Sequence, residues 1–203
     1  MKKIVLFDFD GVLVDTLLIY YGISKQVNSD MSLEEYKTFF EGNIHDAIRQ
    51  DGSMRKPHKD FHREFEPFIR EIKIPQILKD ILNNLAHKYT LIIVSSTPTN
   101  AIKQILKNER VENCFTDVLG ADVHTSKIVK INSLLEEYKI EPKNVLFITD
   151  TLGDIREGEK CNVQSIAVSW GFHEKEVLEK GKPFAIIDNP IDLENKVDEF
   201  FVV

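Results

Sequence analysis

Three clusters of hydroxyl and carboxylate residues each follow directly on a short apolar run. Asp8-Phe9-Asp10 follows residues 4–7, Ser95-Ser96-Thr97 follows residues 91–94, and Thr149-Asp150 follows residues 145–148. Such groups can act as nucleophiles, transfer protons and bind hard cations. Two acids at the spacing of Asp8 and Asp10 are a weak signal alone, but Gly11 supplies a tight turn directly after them. We therefore expect this pair to be functional.

The chemistry depends on whether these clusters meet. In open parallel sheets, ligands bind outside the carboxyl ends of the strands, where the strand order reverses. If Asp8, Asp10, Asp150 and Asp154 converge there, the carboxylates repel one another and any phosphate dianion unless a cation is present. Oxygen ligands of this hardness favour Mg²⁺.

Five apolar runs predict the elements that position these residues. They are rich in β-branched or aromatic residues and cover residues 4–7, 91–94, 145–148, 166–168 and 184–187. Such runs are typical of parallel strands buried on both faces. Helical patterns lie between them, one with Ser126 as its cap and one with Thr97 as N-cap and Pro98 at the first helical position. This alternation predicts an α/β fold, a Rossmann-like doubly wound parallel sheet.

One interval of about 80 residues, between the first two runs, is too long for a single crossover helix. It contains helical patterns near residues 17–27, 32–41, 61–72 and 76–87. We therefore predict an α/β core formed by residues 1–16 and 81–203, and a small helical cap formed by residues 17–80.

The clusters also carry a family resemblance. The segment Asp8-Phe9-Asp10-Gly11-Val12-Leu13-Val14-Asp15-Thr16 resembles the first motif of the haloacid dehalogenase-like hydrolases, a phosphatase superfamily with an aspartate nucleophile. Ser95 resembles the second motif, and Asp150-Thr151-Leu152-Gly153-Asp154 resembles the fourth. The segment Val168-Ser169-Trp170-Gly171-Phe172 is similar to the phosphoglycolate phosphatase-like branch, which carries a helical cap after its first motif.

The resemblance implies a catalytic role for each matched residue. Asp8 would be the nucleophile, and Asp10 would protonate the leaving alkoxide and then deprotonate the attacking water. The Ser95 hydroxyl and the backbone amide of Ser96 would bind the phosphoryl group. For Thr97 we expect plain helix capping.

The resemblance also implies a Mg²⁺ site. Its ligands would be the Asp8 carboxylate, the main-chain carbonyl of Asp10 and the Asp150 carboxylate. Asp154 would bind the ion directly or through water, or would orient another ligand. The alternative role for Asp154 is to cap the helix that follows it.

A lysine should neutralise the phosphoryl charge, and here the sequence departs from the family pattern. The third motif is commonly Lys-Pro, but this region reads Thr125-Ser126-Lys127-Ile128-Val129-Lys130. We expect Lys127, in the first helical turn, to bind substrate and serve catalysis, with Lys130 on a neighbouring face. The alternative is that both are ordinary surface lysines.

Composition limits the partners. A formal net charge of −7 disfavours nucleic acid and anionic membranes. Two separated cysteines, Cys114 and Cys161, predict reduced thiols in a cytoplasmic protein. The locally basic residues 55–59 and Arg63 form either a solvated helix face or a patch that meets an anionic substrate.

The sequence therefore predicts a Mg²⁺-dependent phosphatase that acts on a small phosphorylated metabolite. A phosphomutase of the same branch would use the same residues, and a binding module without catalytic activity could keep the same fold. The sequence identifies neither the substrate nor the oligomeric state.

Overall fold

A computed structural model describes residues 2–26, 28–50 and 64–202. Its centre is a sheet of six parallel strands in the order β3-β2-β1-β4-β5-β6. The strands are β1 (Ile4–Phe7), β2 (Thr90–Val94), β3 (Phe115–Leu119), β4 (Val145–Thr149), β5 (Gln164–Val168) and β6 (Ala185–Ile187). The predicted doubly wound α/β sheet is confirmed.

The sheet is covered by helices on both faces, and β2 shows how. Leu91 and Ile93 belong to one buried apolar cluster, whereas the alternate residues Ile92 and Val94 belong to a second. Every residue of β1 and β4 is buried for the same reason. The apolar runs therefore read as strands because both of their faces are covered.

The strand order reverses beside β1. The chain runs from β1 through β2 to β3 and then returns to the other side of β1 as β4. Phe7 pairs with Ile93 on one side and with Ile148 on the other, so the three strands end at one level. The polar residues that follow these strands therefore share one edge of the sheet.

Nine α-helices of the described residues lie between the strands or follow the last one. They are α1 (Leu17–Lys25), α2 (Leu33–Thr38), α3 (Ile44–Gln50), α4 (Gln76–Lys88), α5 (Thr99–Glu109), α6 (Lys127–Tyr138), α7 (Leu152–Lys160), α8 (Lys175–Leu178) and α9 (Leu193–Val202). No helix in the described ranges has the length and apolar character needed to cross a membrane. Cys114 and Cys161 are free, buried thiols.

Helices α1, α2 and α3 lie between β1 and α4, together with a 3-10 helix at Glu66–Arg70. They fall within residues 17–80, where the sequence predicts the cap, and the division into cap and core stays a prediction. The basic residues 55–59 and Arg63 lie outside the described residues, as does the first part of the helix predicted at residues 61–72.

One strand was missed, one predicted helix cap was wrong, and one cap was confirmed in position only. The strand β3 was not predicted, because Thr116 and Asp117 interrupt its apolar pattern and β3 lies at the edge of the sheet. Helix α5 begins at Thr99 with Pro98 as its N-cap, so Thr97 does not cap it. Ser126 occupies the N-cap position of α6, but its side chain makes no capping hydrogen bond.

Candidate active site

The ends of β1, β2 and β4 bring the three polar clusters together. Asp8 follows β1 and is buried, and its backbone N–H donates to the Ile148 carbonyl at 2.8 Å. One carboxylate oxygen of Asp8 accepts the Phe9 N–H at 2.7 Å. The other oxygen, Oδ2, faces Lys127.

Lys127 joins two of the predicted acids. Its amine, at the start of α6, lies 2.9 Å from Asp8 Oδ2 and 2.6 Å from Asp154 Oδ2. All three side chains are buried. Burial alone would lower the pKa of Lys127, but the Asp154 and Asp8 carboxylates outweigh burial and raise that pKa, so the amine stays charged.

The two acids that share Lys127 differ in their protonation. Burial is the main cause that raises the pKa of Asp8 well above its ordinary value; Lys127 opposes it, while Asp154 and Asp150 add to it. Burial would also raise the pKa of Asp154, but Lys127 and hydrogen bonds, including one from the Thr149 hydroxyl at 2.8 Å, lower it on balance. Asp154 therefore holds its negative charge more firmly than Asp8 does. The helix that Asp154 might have capped uses Thr151 instead.

Asp10 is held by three hydroxyl groups. Thr16 donates to Oδ1 at 2.9 Å, and Ser95 and Thr97 donate to Oδ2 at 3.3 and 2.7 Å. The Tyr20 hydroxyl lies 2.7 Å from the Thr97 hydroxyl. Burial, followed by the charge of Asp10, raises the pKa of Tyr20, so the phenol stays protonated. The orientation of the Asp10 carboxylate is thus fixed from both oxygens.

Asp150 is fully buried, and only one of its two carboxylate oxygens has a hydrogen-bond partner. Its Oδ2 accepts the Phe172 N–H at 2.7 Å, whereas Oδ1 has no hydrogen-bond partner in the structure. Burial is the main cause that raises the pKa of Asp150 to about 8. The backbone is packed closely around this carboxylate, because a Cβ at Gly11 would lie 1.9 Å from Oδ2 and a Cβ at Gly171 would lie 2.3 Å from it. Gly11 also has a φ of +73°, which a glycine adopts without strain.

These oxygens fit a hard divalent cation. Among the described residues, no three His, Cys, Asp or Glu side chains are arranged to hold a metal ion. The predicted Mg²⁺ ligands include only two such side chains, since they combine the Asp8 and Asp150 carboxylates with the Asp10 main-chain carbonyl. The Oδ1 of Asp150 has no hydrogen-bond partner, and burial is the main cause that raises the pKa values of Asp8 and Asp150; a cation beside these carboxylates would satisfy the first and offset the second.

Neither candidate lysine is a surface residue, so that alternative was wrong. Lys130 is 1% exposed, and its amine donates to the Ser95 carbonyl at 2.6 Å and to the Gly120 carbonyl at 3.3 Å. Burial and then the charge of Lys127 lower the pKa of Lys130 to about 8. Of the two amines, that of Lys127 borders the cavity and touches Asp8.

A cavity of about 100 Å³ lies over these residues. Asp8, Asp10, Ser96 and Lys127 line it from the sheet side. Its opposite wall comes from the region between β1 and α4 and includes Tyr20, Tyr36, Phe40, Asn43, His45 and Phe65. This volume suits a small molecule.

Asn43, from the wall of the cavity opposite the sheet, is hydrogen-bonded to the sheet side. The Asn43 amide donates to Glu157 at 3.1 Å, and the same Glu157 oxygen accepts the backbone N–H of Lys127 at 3.2 Å. Gly153 makes this close approach possible, because a Cβ there would lie 2.3 Å from the Gly42 carbonyl. The segment around Asn43 therefore contacts the residue that anchors the start of α6.

Several residues at the site were not predicted from sequence. Thr16 occupies the N-cap position of α1 without a side-chain capping bond, and its hydroxyl binds Asp10, as does that of Thr97. Tyr20 carried no signal, since a tyrosine in an apolar helix reads as a core residue. Glu157 could have been found, because it follows Asp154 by three residues and so lies on the same face of α7.

Known proteins share this sequence pattern and this fold. The model of the haloacid dehalogenase-like hydrolase family matches residues 5–168. A phosphoglycolate phosphatase from Synechococcus elongatus is 22% identical over 93% of this chain and 94% of its own length. One from Vibrio vulnificus is 25% identical, over 50% of this chain and less than half, 46%, of its own length.

Two solved structures extend the fold comparison. A haloacid dehalogenase-like family protein from Streptococcus pneumoniae superposes with a TM-score of 0.80 at 19% identity, covering 97% of this chain and 98% of that one. A Thermotoga maritima protein assigned provisionally as a beta-phosphoglucomutase superposes with a TM-score of 0.70 at 18% identity, covering 98% and 99%. At these identities the structures support the fold alone.

Proposed function

The chain belongs to the haloacid dehalogenase-like hydrolase family, and we propose that it is a Mg²⁺-dependent phosphatase that hydrolyses a small phosphorylated metabolite through an aspartyl phosphate on Asp8. One observation carries this proposal. The Asp8 carboxylate is paired with the Lys127 amine, while Asp10, two residues later, is held apart from that amine by three hydroxyls. A nucleophile and a proton donor are thus kept chemically distinct in one cavity.

In the first step the Asp8 carboxylate attacks phosphorus, and the bond from phosphorus to the ester oxygen breaks. Asp10 gives its proton to that departing oxygen, which leaves as a neutral alcohol. In the second step Asp10 takes a proton from water, whose oxygen attacks phosphorus and breaks the bond to Asp8. The products are inorganic phosphate and the regenerated carboxylate.

The phosphoryl group would be bound by Ser95, Ser96 and Lys127. The Ser95 hydroxyl accepts the Thr97 N–H at 3.0 Å and donates its proton to Asp10 at 3.3 Å, so it would turn that proton from Asp10 to the phosphoryl group when substrate binds. The Lys127 amine supplies a fixed positive charge beside the attacking carboxylate. Mg²⁺, held by Asp8, Asp150 and the Asp10 carbonyl, with Asp154 in direct or water-mediated contact, would supply the remaining positive charge against the phosphoryl oxygens.

We assign residues 17–80 to a cap that covers the substrate and residues 1–16 with 81–203 to the catalytic core. The small cavity and the net charge of −7 support a small-molecule substrate in the cytoplasm over nucleic acid or a membrane surface. The match to phosphoglycolate phosphatases makes phosphoglycolate the first substrate to test.

A phosphomutase is the second candidate, favoured by the likeness to the Thermotoga maritima fold. It would form the same aspartyl phosphate but pass the phosphoryl group to a second sugar hydroxyl. A binding module without turnover is the third. It would bind inorganic phosphate yet leave every phosphate ester intact.

The test is phosphate release from a panel of phosphorylated metabolites, measured with Mg²⁺ and with a chelator. We expect Mg²⁺-dependent release that is lost in Asp8→Asn and retained in Asp30→Asn, a matched change at an exposed acid. A hexose 1-phosphate with a trace of its bisphosphate distinguishes the mutase. Isomerisation faster than phosphate release would support the mutase, and turnover of no ester would support the binding module.

A further inference from the structure

The Tyr20 hydroxyl is linked to Asp10 through the Thr97 hydroxyl and also interacts with the Asp10 carboxylate itself. Tyr20 lies in α1, is 6% exposed, and places its oxygen 2.7 Å from the Thr97 hydroxyl, which in turn lies 2.7 Å from Asp10 Oδ2. We propose that Tyr20 is a positioning residue, which holds the proton-transferring carboxylate of Asp10 in line through Thr97. This proposal rests on the proposed phosphatase function.

The direction of this chain follows from counting protons. A threonine hydroxyl has one proton, and the Thr97 proton is directed to the Asp10 carboxylate, which can only accept when ionised. The phenol proton is then directed to Thr97 or to Asp10 itself, because both are neighbours of the Tyr20 oxygen. In either case the phenol and the Thr97 hydroxyl support the same carboxylate.

Helix α1 controls both oxygens of Asp10. Thr16, which precedes the helix, donates to Oδ1, and Tyr20 lies four residues later on the same face. The Tyr20 N–H donates to the Thr16 carbonyl at 2.9 Å, which fixes the spacing of the two side chains. A shift of α1 would thus release Oδ1 directly and Oδ2 through Thr97.

Packing alone does not account for the phenol. The Tyr20 ring contacts the Phe65 ring at a centroid distance of 5.0 Å, a contact that phenylalanine would also make. The hydroxyl adds a buried polar group that needs a partner, and its partners include the Thr97 hydroxyl, which is bound to Asp10, and Asp10 itself. A purely structural role would leave this oxygen unnecessary.

The experiment compares two esters of similar size. In p-nitrophenyl phosphate the leaving group departs without a proton, whereas in benzyl phosphate it needs one. For Tyr20→Phe we expect kcat/KM on benzyl phosphate, which reports the steps up to departure of the alcohol, to fall on the order of tenfold, and kcat/KM on p-nitrophenyl phosphate to stay within about twofold of wild type. The kcat values can fall on both esters, because Asp10 also takes a proton from water in the second step.

Neighbouring variants separate the hydroxyl from the packing. Tyr21→Phe is the matched control, because this adjacent tyrosine donates to the Met31 carbonyl at 2.8 Å and not toward Asp10. It should match wild type on both esters. Thr97→Val should reproduce Tyr20→Phe, and Thr97→Ser should restore wild-type selectivity, which keeps the test decisive if Tyr20→Phe is unstable. The double variant Tyr20→Phe with Thr97→Val should lose less than the sum of the two single losses, since the two hydroxyls contact each other and hold the same carboxylate.

The possible outcomes distinguish failure of the Tyr20 positioning role from failure of the proposed phosphatase function. An equal fall in kcat/KM on both esters, or no fall on either, would overturn the positioning role while the phosphatase function stands. A wild-type protein that releases phosphate from neither these esters nor the metabolite panel would overturn the function and, with it, the role given to Tyr20.

Discussion

Replacing Asp150 by asparagine should make the cation-free protein more stable and the enzyme inactive. Asp150 is fully buried, and burial raises its pKa to about 8 from an ordinary value of 3.8. Because the folded-state pKa is the higher one, ionising this group costs stability as pH rises from about 4 to about 8. Asparagine has the same shape, keeps an acceptor for the Phe172 N–H, and cannot ionise.

The size of the effect follows from that pKa. Near pH 8 the buried carboxylate costs the cation-free protein on the order of a few kcal/mol, which asparagine avoids. For a chain of this length, this corresponds to a rise in Tm of roughly 5–10 °C. Near pH 5 the folded wild-type group is protonated and neutral, and only its ionisation in the unfolded chain still costs stability, by roughly 1–2 kcal/mol, so the difference in Tm should narrow to roughly 2–5 °C. At the Oδ1 position, the asparagine NH₂ and the O–H of the protonated acid would both lack a hydrogen-bond partner, so the cost of an unpaired buried donor is the same in the two proteins.

Thermal unfolding in a chelator at pH 5 and pH 8, followed by addition of Mg²⁺, measures this directly. Mg²⁺ should raise the Tm of wild type, more at pH 8 than at pH 5, because a proton on Asp150 competes with the cation. It should leave Asp150→Asn unmoved, and that variant should lose turnover by roughly 100-fold or more. Equal chelated Tm values at pH 8, or a Mg²⁺ shift that survives the substitution, would refute the assignment of Asp150.

Three further substitutions test the neighbouring groups. Asp8→Asn should abolish phosphate release while the protein stays folded by circular dichroism, and turnover by the folded variant would rule out the nucleophile. Lys127→Met should lower kcat by roughly 100- to 1,000-fold, since it removes one preorganised charge, whereas Lys130→Met should mainly lower the Tm because it leaves two buried carbonyls unpaired; the reverse ranking would reassign the lysine. Gly11→Ala should destabilise the protein by about 2 kcal/mol or more in denaturant unfolding, because φ is +73° and the new Cβ meets Asp150; a neutral result would contradict the packing described around that carboxylate.

The strands that carry the site could be predicted because both of their faces are buried. The run at residues 145–148 is apolar at each position for that reason, and its end marks Asp150. Strand β3 has only one buried position, Val118, and its remaining residues are partly or wholly exposed. A pattern that identifies continuous apolar runs therefore misses β3, where Thr116 and Asp117 interrupt the run, but finds the other edge strand, β6, whose residues are apolar throughout.

The acids of the site could also be predicted, but their partners could not. Asp8 and Asp10 are recognisable from the strand end and the turn at Gly11. The hydroxyls on Asp10 come from segments far apart in sequence, and nothing in the residues around Thr97 distinguishes a cap from a hydrogen bond to Asp10. For Thr97, the proline that follows favoured capping, and tertiary contact decided otherwise.

The carboxylates of this site outnumber the amines that pair with them. Four carboxylates lie at the site, those of Asp8, Asp10, Asp150 and Asp154. Within the described site, the amine that pairs with acids is that of Lys127, whereas the Lys130 amine is directed to backbone carbonyls. The raised pKa values of Asp8 and Asp150 mean that, without added positive charge, protons relieve part of the repulsion. A protonated Asp8 cannot attack phosphorus, and an ionised set would repel a phosphate dianion. Binding of a divalent cation removes both obstacles at once, so cation binding should precede productive substrate binding, and the affinity for inorganic phosphate should depend on Mg²⁺.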